Sequence, residues 1–129
     1  MAENFNLEII SPERVLFKDK VGSVTITAFE GEMTILPDHI PLITFLRPGI
    51  TKVIGTKESS FFLEDGTVEF SNNTLIILSS TVVSIDKLTN EKISKMLDES
   101  KNQLNKDNLD DKTRYIVSHK IESLSKINQ

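Results

Sequence analysis

Few side chains in this sequence are of types that do chemistry, and their spacing narrows the choice further. Two acids flank a glycine at Glu30-Gly31-Glu32, three more gather at Asp107, Asp110 and Asp111, and the two histidines, His39 and His119, stand eighty positions apart. Paired carboxylates can share acid and base roles in a hydrolase when both converge on one bond. Around Gly31, a turn would more simply project Glu30 and Glu32 into solvent, and that is the expectation. The three aspartates resemble a cation site, but they fall at a helix start, where carboxylates complement the macrodipole and cap free N–H groups. His119, beside Lys120, reads as a solvated helix position and is assigned no role. His39 differs, because Pro37 and Pro41 bracket it inside an otherwise apolar run. Taken alone it reads as a loop histidine held by a carboxylate such as Asp38.

The negative results are as informative. No GxSxG or HExxH occurs, and without GxxxxGK[ST] the phosphate-cradling loop of a P-loop NTPase is missing. Zero cysteines exclude disulfides, thiolate catalysis, zinc fingers and iron–sulfur ligation, and two distant histidines make a poor start on a metal site. Neither metal nor cofactor is expected. The net charge of −4 argues against nucleic acid as a partner. That average hides an asymmetry: residues 1–86 hold six basic against twelve acidic side chains, a net of −6, whereas residues 87–129 hold nine against seven, or +2. Apolar runs are only a few residues long, far short of the ~20 a membrane span needs. The opening MAENFNLEII has neither a basic residue nor an apolar segment of secretory type, so the chain is expected to stay in the cytoplasm.

The elements that must position these residues come in two textures. Every glycine, proline and phenylalanine lies within the first seventy residues. Turn-makers at short intervals among β-branched and aromatic residues describe antiparallel strands, and a long stretch with neither breaker describes helix. FNLEII puts Phe5, Leu7 and Ile9 on one face; SVTITAF does the same with Val24, Ile26 and Ala28. SPER, FKDK, RPGI, EDGT and SNNT supply turns, and Asp65-Gly66 is the strongest short hairpin signal. LIILSSTVVSI closes this part as two short strands. Short strands without intervening helices each bury one face and need a second layer, which predicts an N-terminal antiparallel β-sandwich over residues 1–86.

Residues 87–129 predict a C-terminal antiparallel two-helix hairpin, so the fold class is mainly β plus α. Thr89 caps the first helix, with Leu88 and Ile93 as a hydrophobic staple, and Ile93, Met96, Leu97 and Leu104 mark its apolar face. Asp107 or Asn108 caps the second, whose apolar positions are Leu109, Ile116, Val117, Ile121, Leu124 and Ile127. These narrow stripes are too thin to offset the ordering entropy of forty residues, so the hairpin must lean on the sandwich or on a partner.

The run from Glu30 to Thr44, EGEMTILPDHIPLIT, resembles the signature of the epsilon subunit of bacterial F-type ATP synthases, in which an acidic glycine turn leads into G-x-L-P-G-H-x-P-L-L-T. FNLEIISPERVLF, RPGI, DGTVEF and ILSSTVV follow the family in the same order. The resemblance implies a sandwich with a helical hairpin and a non-catalytic rotor subunit. Its implied partners are the gamma subunit and the c-ring, on the cytoplasmic face of the energy-transducing membrane and peripheral to it. By similarity Glu30, Gly31 and Glu32 would face the ring, and Pro37, Asp38, His39, Ile40 and Pro41 would lie near gamma. Two prolines would stiffen that loop, so that docking orders little.

Thr34 and Asp38 stand where the family usually has glycine; Asp tolerates positive φ, so Asp38 is the milder departure. Leu88-Thr89-Asn90-Glu91-Lys92 lies where ATP-binding members resemble I/L-D-x-x-R-A. With Thr89 for the acid and Lys92 for the arginine, a carboxylate and a planar fork are lost, and no nucleotide binding is expected. In some relatives the hairpin inserts among the alpha and beta catalytic subunits and restrains hydrolysis. Lys112, Arg114, Lys120 and Lys126 are the candidate contacts here. Two other classes compete: a free-standing small-ligand, nucleotide-sensing sandwich, and a hydrolase built on Glu30 and Glu32.

Overall fold

The computed structural model describes residues 3–127; Met1, Ala2, Asn128 and Gln129, which fall at the ends of the two expected segments, lie outside the described residues. The alternating stretches become strands β1 (Phe5–Ile10), β2 (Val15–Val21), β3 (Ser23–Ala28), β4 (Gly31–Ile35) and β5 (Leu42–Leu46), followed by β6 (Gly49–Ile54), β7 (Glu58–Leu63), β8 (Gly66–Ser71), β9 (Thr74–Leu78) and the short β10 (Val83–Ser84). A 3-10 turn at Ile85–Lys87 leads to helices α1 (Asn90–Leu104) and α2 (Asp111–Ile127).

The strands run in the order β10-β7-β6-β3-β5-β8-β9-β1-β2, with β4 on β3. The path folds over where β3 meets β5 through the single pair Ala28↔Leu46, and two layers face each other. Val24 and Ile26 of β3, Val53 of β6 and Phe61 and Leu63 of β7 pack in one core with Phe5, Leu7 and Ile9 of β1, Val68 and Phe70 of β8 and Leu75 and Ile77 of β9. The alternation of Phe5, Leu7 and Ile9, and of Val24, Ile26 and Ala28, is that of buried side chains, as the period-two pattern requires. The sandwich is antiparallel except where β1 lies parallel to β9.

Asp65-Gly66 is not a hairpin. β7 pairs with β6 and β10, whereas β8 pairs with β5 and β9, so the chain crosses between layers at this dipeptide. Gly66 has φ 155°, and a Cβ there would lie 2.8 Å from the Leu78 carbonyl oxygen, a corner that admits only glycine. The Thr81 hydroxyl secures it, accepting from the Glu64 and Asp65 amides at 3.0 and 3.3 Å and donating to the Asp65 carboxylate at 3.2 Å. A tight hairpin forms instead at Asn72-Asn73, between β8 and β9. Both asparagines have positive φ, 50° and 52°, as a type I′ loop demands.

The hairpin packs on the outer face of the β6-β7 layer. Phe62 of β7 points away from the sandwich core and joins Ile93 and Leu124 in a second cluster, with Leu88, Met96, Leu97 and Ile127 around them. The Thr89 hydroxyl accepts from the Lys92 amide at 3.2 Å, the cap expected of it. Expectation and structure part at α2: Asp110 takes the Thr113 amide at 2.7 Å, in place of Asp107 or Asn108. Asn108 has φ 67° and shapes the preceding loop, a conformation outside the β-region geometry of an N-cap.

Candidate functional site

Two loops and the strand between them form the candidate site. Phe29 and Glu30 make a two-residue turn between β3 and β4, closed by the pair Ala28↔Gly31. Gly31 has φ 133° with nothing within 4 Å of a Cβ built there, so it is needed for its backbone conformation and not for space. The Thr44 hydroxyl donates to the Glu30 carboxylate at 3.3 Å, which ties the acidic turn to β5. Glu32 lies exposed on β4 opposite Thr27. Farther along β4, the hydroxyls of Thr34 and Thr25 meet at 2.9 Å across the ladder.

The Pro37–Pro41 loop occupies the other end of β4, about 13 Å away at about 3.3 Å per residue. The structure therefore keeps the acidic turn and the His39 loop apart, each presented separately. Asp38 has φ 65°, the conformation glycine would take with less strain. Its amide donates to the Asn73 side-chain oxygen at 2.7 Å, and the Asn73 amide group donates back to its carboxylate at 2.8 Å. The His39 amide donates to the Leu36 carbonyl at 3.2 Å. Its Nδ1 lies 2.7 Å from the Ile40 carbonyl oxygen; a carbonyl only accepts, so Nδ1 carries the proton. The ring stands edge-on to buried Phe70 with centroids 5.7 Å apart. Asp38 thus orders the loop through Asn73, while His39 is held by a backbone carbonyl and an aromatic ring.

Strand β5 joins the two loops, and its outward face is apolar. Ile40, in the loop before it, and Ile43 and Phe45 on it are 75%, 74% and 60% exposed, and Leu78 of β9 lies exposed one strand farther on, across Thr67 of β8. Beside it, a cleft of about 1310 Å³ opens between the sandwich and α2, lined by Ile10, Phe29, Glu30, Phe45, Leu78 and Ile116 among others. Contiguous exposed apolar surface of this kind marks an interaction face. Four of the five residues of LITFL are apolar, so no local signal separates the outward Ile43 and Phe45 from the inward Thr44 and Leu46.

Residues 4–85 match the family described as ATP synthase, Delta/Epsilon chain, beta-sandwich domain. Over 130 residues, 99% of this chain and 100% of the relative, the sequence is 41% identical to the ATP synthase epsilon chain of Pelagibacter ubique (strain HTCC1062). This chain belongs to the ATP synthase epsilon chain family. The epsilon chain of Allorhizobium ampelinum is 35% identical over 81% of this chain and 78% of its own. Among solved structures, a chain of the Euglena gracilis mitochondrial ATP synthase, in an OSCP/F1/c-ring assembly, superposes with a TM-score of 0.82 at 21% identity, covering 100% of this chain and 84% of that one. A chain of the Tetrahymena thermophila mitochondrial ATP synthase central stalk and c-ring gives 0.67 at 16% identity, covering 96% of each. At such identities the likeness is one of fold. Among the described residues of this epsilon-family chain, no helix is long and apolar enough to cross a membrane.

Where α2 meets the sandwich, the structure corrects one expectation. His119 is not a solvated position: its side chain is 23% exposed, with its ring centroid 4.4 Å from that of Tyr115. Tyr115, which no sequence motif singled out, stacks on Phe29 at 5.9 Å and donates to the Phe29 carbonyl at 2.8 Å. Arg47 Nη1 donates to the Tyr115 hydroxyl at 2.8 Å and reaches His119 Nε2 at 3.4 Å. The Ser123 hydroxyl donates to the Pro48 carbonyl at 3.2 Å. The four cations are placed differently from one another. Lys120 pairs with Glu64 of the sandwich at 2.6 Å and Lys126 with Glu122 of its own helix at 3.4 Å, while Lys112 and Arg114 remain exposed. In this conformation Lys120 faces inward because α2 turns that side to the sandwich.

Proposed function

We propose that this chain is a non-catalytic central-stalk subunit of a proton-translocating F-type ATP synthase, peripheral to the cytoplasmic face of the membrane, where it joins the gamma subunit to the c-ring. The carrying observation is the arrangement of contact groups on one rigid body: an acidic turn at one end of β4, a clamped Pro-His-Pro loop at the other, and exposed Ile43 and Phe45 between them. Load passes between two partners without slip only if the groups that touch each are fixed relative to one another, and a closed sandwich core supplies that stiffness. Gamma takes the apolar face and the Pro37–Pro41 loop; the ring takes Glu30, Gly31 and Glu32.

Residues 1–86 act as the anchor in this reading. Of the hairpin cations, Lys112 and Arg114 are placed to meet acidic surfaces of the alpha and beta subunits, and Lys126 can be spared from its exposed helix-surface pair; Lys120 joins them only when α2 leaves the sandwich. The start of α1 holds no nucleotide, because the Thr89 hydroxyl is engaged as a cap and Lys92 offers only a point charge.

A tagged chain used to capture partners from solubilised membranes should recover gamma together with the catalytic hexamer. A chain ending after Asp86 should do the same, and Ile43→Glu with Phe45→Glu should lose gamma while the sandwich stays folded. Failure of the intact chain to retain gamma would overturn the proposal. Isothermal titration with ATP should give no heat of binding at sub-millimolar concentration.

A further inference from the structure

The contact between α2 and the sandwich turns on one titratable ring. The Arg47 guanidinium is permanently charged and only donates hydrogen bonds. With Nη1 at 3.4 Å from His119 Nε2, the imidazole nitrogen must supply a lone pair. His119 is therefore neutral here, with its proton on Nδ1, toward the Glu122 carboxylate at 3.6 Å. Adding a proton to Nε2 removes that acceptor, sets N–H against N–H, and places a second positive charge beside the first. The Arg47 Nε is already buried without a hydrogen-bond partner among the described residues, so the guanidinium has little room to turn toward a replacement.

We propose that His119 is a proton-operated latch: neutral, it lets Arg47 hold α2 on the sandwich, and protonated, it drives the helix off. The rest of the contact is of a kind that opens once this centre fails. The Tyr115 hydroxyl takes its proton acceptor from the Phe29 carbonyl and its donor from Arg47, so displacement of Arg47 leaves it half satisfied. Lys120–Glu64 and Ser123–Pro48 flank the cluster. Opening the latch also removes the Tyr115 bond from the Phe29 carbonyl beside Glu30, while the Phe29 amide stays on the Phe45 carbonyl at 3.2 Å.

The charged groups acting on the ring are Arg47 from the sandwich and Glu122 and Lys126 from α2 itself; Tyr115 is the titratable neighbour in contact. Burial first, then the charges of Arg47 and Lys126, hold the imidazole below its ordinary 6.5, with Glu122 opposing. The released helix binds the proton more readily than the docked one, so docking is at full strength above pH 6.5 and weakens as pH falls through the lower docked value. This inference goes beyond the rotor reading and does not depend on it.

The chain has no cysteine and two histidines, which makes the test direct. Fluorescent labels on Thr56→Cys and Ser125→Cys, both exposed positions on the sandwich and on α2, report separation of the two parts in the full chain. On acidification from about pH 7.5 to 5, the docking constant should fall by up to about tenfold per pH unit below 6.5. With His119→Gln, whose side-chain oxygen still accepts from Arg47, transfer between the labels should not change with pH. A flat response in the native sequence, or a parallel one in the glutamine variant, would overturn the latch. Should the variant be undocked throughout, imidazole NMR of the native chain decides: titration of His119 below 6.5 supports the inference, and titration at or above it sinks it.

Discussion

The two parts of this molecule are built on opposite principles. The sandwich closes its own core: fifteen buried side chains from both layers form one cluster, and Phe5 and Phe70 meet edge to face with centroids 5.6 Å apart inside it. The hairpin has three buried members in its cluster, and one of them, Phe62, belongs to β7. Beside partly buried side chains and the Phe29–Tyr115 stack, it is held by polar contacts: Arg47 to Tyr115, Tyr115 to the Phe29 carbonyl, Lys120 to Glu64. Apolar burial neither titrates nor is screened by salt, whereas charged and hydrogen-bonded contacts are open to both. The same chain thus joins a rigid body to an attachment that can be released.

The strongest way to break the contrast is to damage the rigid half. Phe70→Ala should cost about 3–5 kcal/mol by urea denaturation, in line with aromatic truncation in a close-packed core. Because His39 rests on the Phe70 ring, loop order should fall with it, read as line broadening of the His39 imidazole. Phe62→Ala, on the outward face of β7, tests the hairpin side. A cost of about 3 kcal/mol is expected, at the low end of the range because the hairpin can partly close on the gap. The loss should appear in amide exchange of α1 and α2 while the β-strand amides stay protected; equal loss in both would show the two parts to be one cooperative unit.

Smaller changes sharpen the comparison. Tyr115→Phe removes a hydroxyl that both donates and accepts, and about 1–2 kcal/mol of docking should go with it, measured as faster exchange in α2 at unchanged sandwich stability. The smallest effect concerns the α2 cap. Hydrogen bonds from the Thr113 hydroxyl and amide hold the Asp110 carboxyl below its ordinary 3.8. Its folded value being depressed, the cap is intact above 3.8 and lost as pH falls through the lower folded value. Circular dichroism should show a little α2 fraying in that acid range, and Asp110→Ser, capping without a charge, should abolish its pH dependence. Docking through the proposed latch begins to weaken below 6.5 and the cap only below 3.8, so the attachment should start to loosen before its own helix frays.

Much of the fold was legible in the residues. Period-two alternation marked β1 and β3, and Thr89 with Leu88 and Ile93 marked the start of α1, because these signals are local and depend on one element at a time. Asp65-Gly66 misled because a positive-φ glycine serves a hairpin and a layer crossing equally well. Which one forms depends on which strands accept the flanking amides, and the Asn72-Asn73 loop took the hairpin. Of the candidate site, the Glu30–Glu32 turn and the clamped loop were visible as motifs. The apolar face of β5 was not, since four of the five residues of LITFL are apolar and nothing local says that Ile43 and Phe45 turn outward while Thr44 is buried.

By itself, then, the order of residues determined which positions alternate, where helix replaces strand and which family the loop motif resembles; it did not fix every bend, since FKDK, expected as a turn, runs within β2 against β1. Only the tertiary structure decided that β7 and β8 part company, that Asn73 clamps Asp38, that Lys120 is engaged inward and that His119 faces Arg47. The reason is range: a turn or a cap is settled by neighbours within a few bonds. The Arg47–His119 contact, by contrast, joins positions 72 residues apart, and exists only after both layers of the sandwich have closed and given α2 a surface to lie on.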